Sequence, residues 1–468
     1  MLLNRRTLKT FVTLAKSVLN LKPRDSGPGD SGPVVVFSEL GDSFLITAQH
    51  ENCWLQYREI GEFDFTLCSL PWSGLQEVAK VGADDLTLTM EREQNCVTWT
   101  ENGTPVERCY PDGPSDETPA FFPAVEGWTP QSARLLTALN EASQTTAKES
   151  TRYALNCLLL RGKTRDMVAT DSRQLLIQKG WEWPWSDDRM IPASRCFRSA
   201  PLRRAAEMGP VEVGRSEKHV VFRLGPWTLG FPIDTKTRFP SVDSIIPDSS
   251  VTLATLVLDE ADHNWLAEKI PRTSRNSKQI ATIELNGAVA VRCAEQDQSP
   301  DQEWILSQSR REGAETTFES DVCYLSRLHD LGLSRVEIPT GNSPFVARDS
   351  QQTYLWMGLS GEPSPRPENI TRVASPRMRG AGSLSQPSPR KRNVMTKPKT
   401  TPSSSSEPAA EIDTVEQVIE RATMVKTKLK DLQSEVQDLI TALRGQKKQA
   451  KIVRNTIDSL QRLNTLQA

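Results

Sequence analysis

No stretch of 18 uncharged apolar residues occurs anywhere in the 468-residue chain, which excludes a membrane-spanning helix. Histidine is scarce, with four, and the eight cysteines are scattered without a single C-x-x-C pair. Both a zinc site and a disulfide scaffold are therefore disfavoured, and a reducing, intracellular setting fits. Neither a Walker motif nor a G-x-G-x-x-G turn is present, so no nucleotide cofactor is expected. The 57 Lys and Arg nearly cancel the 59 Asp and Glu, and gross charge names no partner. At roughly 100 to 200 residues per domain, the length means two to four domains.

Charge sorts strongly along the chain. Residues 361–468 are net +8 and the remainder is net −10, an acidic body with a basic tail. Residues 361–410 hold nine prolines, many serines, three Ser-Pro-Arg copies (at Ser364, Ser375 and Ser388) and the run Arg390, Lys391, Arg392. Such a composition cannot bury a core, so residues 361–411 are predicted to be a disordered basic linker. Beyond it, apolar residues return every seventh position: Val415, Ala422, Leu429, Val436, Leu443, Ala450 and Ile457. Three residues on from these come Val418, Val425, Leu432, Leu439, Val453 and Leu460, with Gln446 breaking the second series. Asp413 and Glu416 suit a capping box, and the heptads predict a coiled coil over residues 413–466 that self-associates or grips a partner helix. A lone charged helix is the alternative.

The body repeats itself at about 125 residues. A helical pattern opens each repeat, over residues 6–20, 130–143 and 259–270. A second one lies midway and stops at a glycine: VAKVG at Gly82, AAEMG at Gly209, LHDLG at Gly332. Each glycine suits the left-handed position that closes a helix. Between them lie alternating β-branched runs such as VVVFSEL, SFLITAQ, DMVATD and IATIEL. The prediction is an α+β fold of three tandem modules forming an arc, over residues 1–122, 128–248 and 252–360.

The first helix is purely basic. Residues 1–24 hold Arg5, Arg6, Lys9, Lys16, Lys22 and Arg24 and no acid, as an organellar transit peptide also would. However, Leu8, Phe11, Val12, Ala15, Val18 and Leu19 follow the spacing of a core-facing helix. Midway through the second module, Arg195, Arg198, Arg203 and Arg204 stand against a single Glu207. Basic helical faces on an acidic body suit a protein that holds a phosphate backbone on one surface and repels it elsewhere. The third module departs from this, since Asp259, Glu260, Asp262 and Glu268 make its first helix acidic. Lys269, Arg272, Arg275 and Lys278 follow just beyond it.

The middle module reads RYALNCLLL from Arg152, ATDSRQLL from Ala169 and RFPSVDSIIP over 238–247. In order and spacing this resembles the second domain of the bacterial β sliding clamp, the processivity ring of DNA polymerase III, whose pattern runs R-Y-x-L-N-G, A-T-D-G-H-R-L and F-P-x-x-x-x-x-x-P. The resemblance covers residues 1–360. It implies a cytoplasmic, nucleoid-associated protein that is not an enzyme and has no catalytic residues, metal or cofactor. A head-to-tail homodimer would encircle double-stranded DNA, with Arg5, Arg6, Lys9, Lys22, Arg24, Arg195, Arg198, Arg203 and Arg204 facing it. DNA polymerase and repair proteins would dock apolar peptides between the second and third modules, and a clamp loader would open the ring. Position by position, that cleft would use Leu155, Thr170, Ser172, Leu175, Pro247, Phe345, Leu355, Trp356 and Met357. The family's Gly-His-Arg is Ser172-Arg173-Gln174 here, and its final V-M-P-M-R-L is replaced by Trp356, Met357, Gly358 and Leu359, so that Trp356 is expected to fill part of the cleft. At the seam strand, 104–110, TPVERCY is more polar than an apolar ring contact.

Two further signals compete. GDSGP at 29–33 and TAQHENC around His50 are similar to motifs of trypsin-like proteases, but Ser31 precedes His50, the reverse of that fold's order. The cluster Trp181, Trp183, Trp185 either caps the sheet or forms an exposed docking patch. A scaffold that assembles through residues 413–468 without topological DNA binding is the alternative function.

Overall fold

The computed structural model describes residues 2–376 except 22–31, 62–66, 82–84, 92–93, 102, 112–121, 150–152, 249, 251, 271–278, 296–301, 342 and 360–362. The coiled coil and the linker beyond residue 376 lie outside the described residues, as do Lys22, Arg24, Ser31 and Gly82.

One unit recurs through the described residues: a lead strand, a helix, then three antiparallel strands. The first module runs β1 (Leu2–Asn4), α1 (Arg5–Val18), β2 (Val34–Leu40), β3 (Ser43–His50), β4 (Cys53–Ile60), then β5 (Cys68–Pro71), α2 (Trp72–Val78), β6 (Asp85–Glu91), β7 (Gln94–Glu101), β8 (Thr104–Pro111). The second runs β9 (Glu126–Gln131), α3 (Arg134–Thr145), β10 (Cys157–Arg161), β11 (Asp166–Thr170), β12 (Gln174–Lys179), then β13 (Asp188–Pro192), a short 3-10 turn (Arg195–Arg198), α4 (Ala200–Met208), β14 (Val211–Arg215), β15 (His219–Leu224), β16 (Trp227–Pro232). The third runs β17 (Thr252–Val257), α5 (Glu260–Lys269), β18 (Gln279–Glu284), β19 (Val289–Glu295), β20 (Gln302–Leu306), an added β21 (Arg310–Gly313), then β22 (Thr317–Asp321), α6 (Val322–Asp330), β23 (Arg335–Pro339), β24 (Phe345–Arg348), β25 (Gln352–Trp356). One more strand, β26 (Thr371–Ala374), follows.

The helices form where the sequence supplies caps and one apolar face. Asn4 accepts from the Arg6 amide (2.8 Å), Asp259 from Ala261 (2.9 Å) and Asp321 from Cys323 (2.9 Å), each satisfying a first-turn donor. Leu8, Phe11, Val12, Ala15 and Val18 are buried, as the periodicity predicts.

Within each module the two units exchange lead strands: β1 pairs with β6 and β5 with β2, β9 with β14 and β13 with β10, β17 with β23 and β22 with β18. Neither unit can close its sheet alone. Modules then join edge to edge, β4 with β16 and β12 with β25, both antiparallel. At the first junction Leu55 faces Leu229, and a side chain on Gly230 would crowd Trp54 at 3.1 Å. At the second, Leu175 faces Leu355, and Arg327 of α6 donates to Gln144 of α3 at 2.8 Å. Burial pushes the neighbouring Glu141 carboxyl above its ordinary range, with the Arg327 charge pulling the other way. One apolar core serves the first two modules together, and a second fills the third module and admits Leu176 from β12.

Several expectations are corrected. Gly332 is left-handed at φ +67°, but Gly209 is extended (φ −142°) and is glycine because Gly225 approaches within 3.2 Å of where a Cβ would sit. Residues 363–376, read as disordered linker, are placed on the third module: β26 runs parallel to β20, and Val373 packs on its core. Cys96 and Cys109 meet across β7 and β8 in a disulfide, which the scattered spacing had hidden. The tryptophans of 181–185 are buried, at most 8% exposed, with Trp183 and Trp185 stacked at 5.5 Å; they are core and not a docking patch.

Candidate nucleic-acid interface and peptide cleft

Helix α1 buries its apolar side and leaves Arg6, Lys9 and Lys16 exposed, with Arg5 half-buried. In the second module Ser194 caps the 3-10 turn by accepting from the Cys196 amide (3.3 Å). Cys196, Phe197, Leu202 and Ala206 point into the core, which turns Arg195, Arg198, Arg203 and Arg204 outward, all exposed. The two basic elements adjoin: α1 packs on the turn, and the Ser194 hydroxyl donates to the Ser17 carbonyl at 3.3 Å. The predicted basic residues of two modules that the structure describes are thus carried on touching elements.

These cations differ from the arginines of the strands and loops. Arg58, Arg165, Arg215, Arg223, Arg335 and Arg348 each reach an acid, at 2.7 to 3.5 Å. Among the described residues, no ion pair joins Arg6, Lys9, Lys16, Arg195, Arg198, Arg203 or Arg204 to an acid. An unpaired row of exposed cations repels itself and attracts any polyanion. Of the four acids read at the third module, Asp262 is fully buried and accepts from the Gln308 (2.8 Å) and Ser309 (2.6 Å) amides, so it organises a loop, whereas Glu260 and Glu268 stay exposed and keep that helix acidic.

Of the nine predicted cleft residues, Thr170, Leu175, Phe345, Leu355 and Trp356 lie on strands of one sheet, and the last four divide between its two faces. Side chains alternate along a strand, so Leu355 joins Leu175, Val168, Ile177, Val346, Phe239 and Val242 in a small apolar cluster on one side. Phe345 and Trp356 lie on the other side, inside the third module's core, where the Trp356 indole donates to Ser320 Oγ at 3.0 Å. Trp356, 1% exposed, therefore fills no part of a cleft above Leu175 and Leu355. Thr170 is buried too; its hydroxyl donates to the Gln174 carbonyl (2.6 Å) and accepts from the Ser172 amide (3.1 Å), closing the loop. That loop puts Ser172 at φ +79°, so the left-handed bend survives without the glycine of the resembling motif. Leu155 and Pro247 are half-buried, and Met357 is 43% exposed. Val242, Val346 and Ile246 were missed, although the alternation of Phe345, Val346 and Ala347 already separates Val346 from its neighbours. A groove of about 730 Å³ opens beside the cluster and shares Leu159, Phe239 and Val242 with it; none of the nine predicted residues lines it.

Among the described residues no helix is long and apolar enough to cross a membrane. No family model matches the chain, and no curated protein matches it. Solved structures do. The DNA polymerase III subunit beta from Pseudomonas aeruginosa is similar at 17% identity and TM-score 0.57, covering 77% of this chain and 99% of that one. The beta subunit from Thermotoga maritima is similar at 14% identity and TM-score 0.57, with 77% and 99% covered. That from Borrelia burgdorferi, in complex with a natural product, is similar at 12% identity and TM-score 0.60, with 77% and 98% covered. Paired half-modules, edge-to-edge sheets and this likeness over nearly the whole length of each clamp agree with the resemblance read in the sequence: the chain has the fold of the DNA polymerase III beta sliding clamps.

Proposed function

We propose that the chain is a clamp-like processivity factor: a tether without catalytic chemistry that holds duplex DNA and keeps polymerase or repair proteins beside it. The carrying observation is the row of unpaired cations formed by Arg6, Lys9 and Lys16 of α1 with the arginines of residues 195–204, adjoining elements of two modules in a body that is net −10. Phosphate binding needs such charges, whereas a structural role would pair them. Two copies joined head to tail would surround the duplex. Partner proteins would set an apolar peptide against Leu155, Pro247 and Met357, above the buried Leu175 and Leu355. A loader would act on the closed ring, and residues 413–466 would add self-association.

Replacing Arg195, Arg198, Arg203 and Arg204 together by Ala tests the reading. The slope of log affinity for duplex DNA against log salt should shrink by roughly 0.9 for each phosphate that is no longer neutralised. Replacing Arg58, Arg165, Arg215 and Arg335, all paired with acids, should leave the slope unchanged. Equal effects from the two sets would contradict the assignment. A scaffold that does not close on DNA is the second reading, and the parallel strand on β20 favours it.

A further inference from the structure

The six units supply edges of two kinds. Strands β4, β12 and β20 each end the first unit of a module, and β8, β16 and β25 each end the second. Antiparallel pairing of β4 with β16 and of β12 with β25 uses two of each kind to join module to module. What remains is β20 of the third module and β8 of the first. One more repetition of the same pairing would join β20 of one copy to β8 of another.

That edge of β20 is not bare. β26 lies along it in parallel, with Gln302 opposite Thr371 and Trp304 opposite Val373. A parallel strand cannot arise by repeating an antiparallel junction, so β26 is an occupant of another origin. It is held by more than its backbone. Arg366 and Arg372 (2.8 Å) both reach the carboxylate of Glu303, a β20 residue only 1% exposed that also faces Arg292 at 3.2 Å. The Ser375 amide donates to the Ile305 carbonyl (2.9 Å), the Ser307 amide donates to Ser375 Oγ (2.9 Å), and that hydroxyl donates in turn to the buried Asp262.

The opposite edge is blunted as well. Proline is accommodated in a sheet only where its nitrogen points away from the ladder. Pro105 and Pro111 therefore mark 105, 107, 109 and 111 as the outward positions of β8, and two of those four carry no N–H to offer a partner. Such an edge resists casual pairing.

We propose that residues 363–376 occupy in cis the edge of β20 at which, on the tether reading, β8 of a second copy would pair, so that two copies join there only after β26 has left. The purpose of this arrangement rests on the tether reading, since a clamp gains from closing only on command; its evidence is the strand pairing alone. Release would leave Glu303 with Arg292 as its nearest cation and would bare the row of β20 donors and acceptors that β26 now fills.

The test uses the full chain with a photo-crosslinking amino acid at Val106 on β8, read together with amide exchange over residues 302–306. Ser375→Asp sets a second carboxylate against buried Asp262 and should expel the strand by like-charge repulsion. Arg366→Ala with Arg372→Ala expels it independently by removing two cations from Glu303, leaving Asp262 untouched. In the wild type, the outward amides of β20 should exchange slowly, and Val106 should yield no inter-copy crosslink to 302–306. In both variants, exchange there should rise about tenfold or more, and the crosslink should form. The proposal is overturned if the wild type crosslinks as well as the variants, if exchange does not change, or if the edge is freed and no second copy takes it. None of these readouts involves DNA, whereas the tether reading fails separately through an unchanged salt slope.

Discussion

At the β12·β25 junction, Leu175 and Leu355 face each other on adjoining antiparallel strands, at most 4% exposed, over a cluster that Val346 and Phe239 complete. At β20, a strand in the equivalent place of the repeat, the neighbour is four residues of parallel strand tied down by two arginines, a serine and one valine. On the side of β8 away from β7 there is no neighbour among the described residues, and the backbone nitrogens of Pro105 and Pro111 point that way. The internal junctions are made as core is made, by apolar burial that loses several kcal/mol when broken. The contact at β20 is made instead from ion pairs and hydrogen bonds to two buried carboxylates, Glu303 and Asp262, so that it depends on a few charged partners rather than on apolar area. One repeated unit thus serves two purposes, and what lies along its third strand decides between them.

The comparison breaks most visibly at the junction. Leu355→Ala should cost about 2 to 5 kcal/mol, read by denaturant unfolding, because the paired strands that carry its neighbours Leu175, Ile177 and Val346 have little freedom to collapse. A loss under about 1 kcal/mol would mean that the junction is no better packed than an edge.

Acid sharpens the comparison within the third module. His263 on α5, which packs against β20, is 8% exposed and lies 5.2 Å ring to ring from His329; burial first, and the His329 charge second, lower its pKa to about 4. The unfolded chain takes up the proton near pH 6.5, while the folded one resists until about pH 4. Stability is therefore full above pH 6.5 and drains as pH falls toward 4, by up to about 3 kcal/mol. Thermal unfolding across that window should fall for the wild type and much less for His263→Gln; matching slopes would remove His263 as the cause. The smallest effect is expected at β8, where the half-buried Val106→Ala should change stability by less than about 0.5 kcal/mol.

Much of this architecture was legible in the residues. The 3.6-residue spacing of Leu8, Phe11, Val12 and Ala15 gave α1 and its exposed cations together, because the burial of one face fixes the other. The repeat length followed from the same periodicities. The two helical patterns of each module were visible too, but the exchange of short lead strands such as β5 and β13 was not, because their partners are set by tertiary pairing alone. The cleft was half right for a reason of geometry. In sequence Leu355, Trp356 and Met357 read as one continuous lining, but a strand sends neighbours to opposite faces, and Trp356 accordingly belongs to the core. Thr371 to Ala374 were hidden by the prolines and serines around them, since four residues carry no period and their place depends on Glu303, some seventy positions earlier. The disulfide was equally invisible, because Cys96 and Cys109 meet only once β7 and β8 have found their register.

Whether the β20 edge is held shut by β26 decides whether two copies can close on DNA. Full-length protein, wild type and Ser375→Asp, would be bound to nicked circular and to linear duplex DNA and then washed at a salt concentration that strips proteins held by phosphate contacts alone. The account predicts that the variant stays on circles and slides from linear ends, while the wild type leaves both. Loss of the variant from circles and linear DNA alike, or retention of the wild type on circles equal to the variant's, would contradict it.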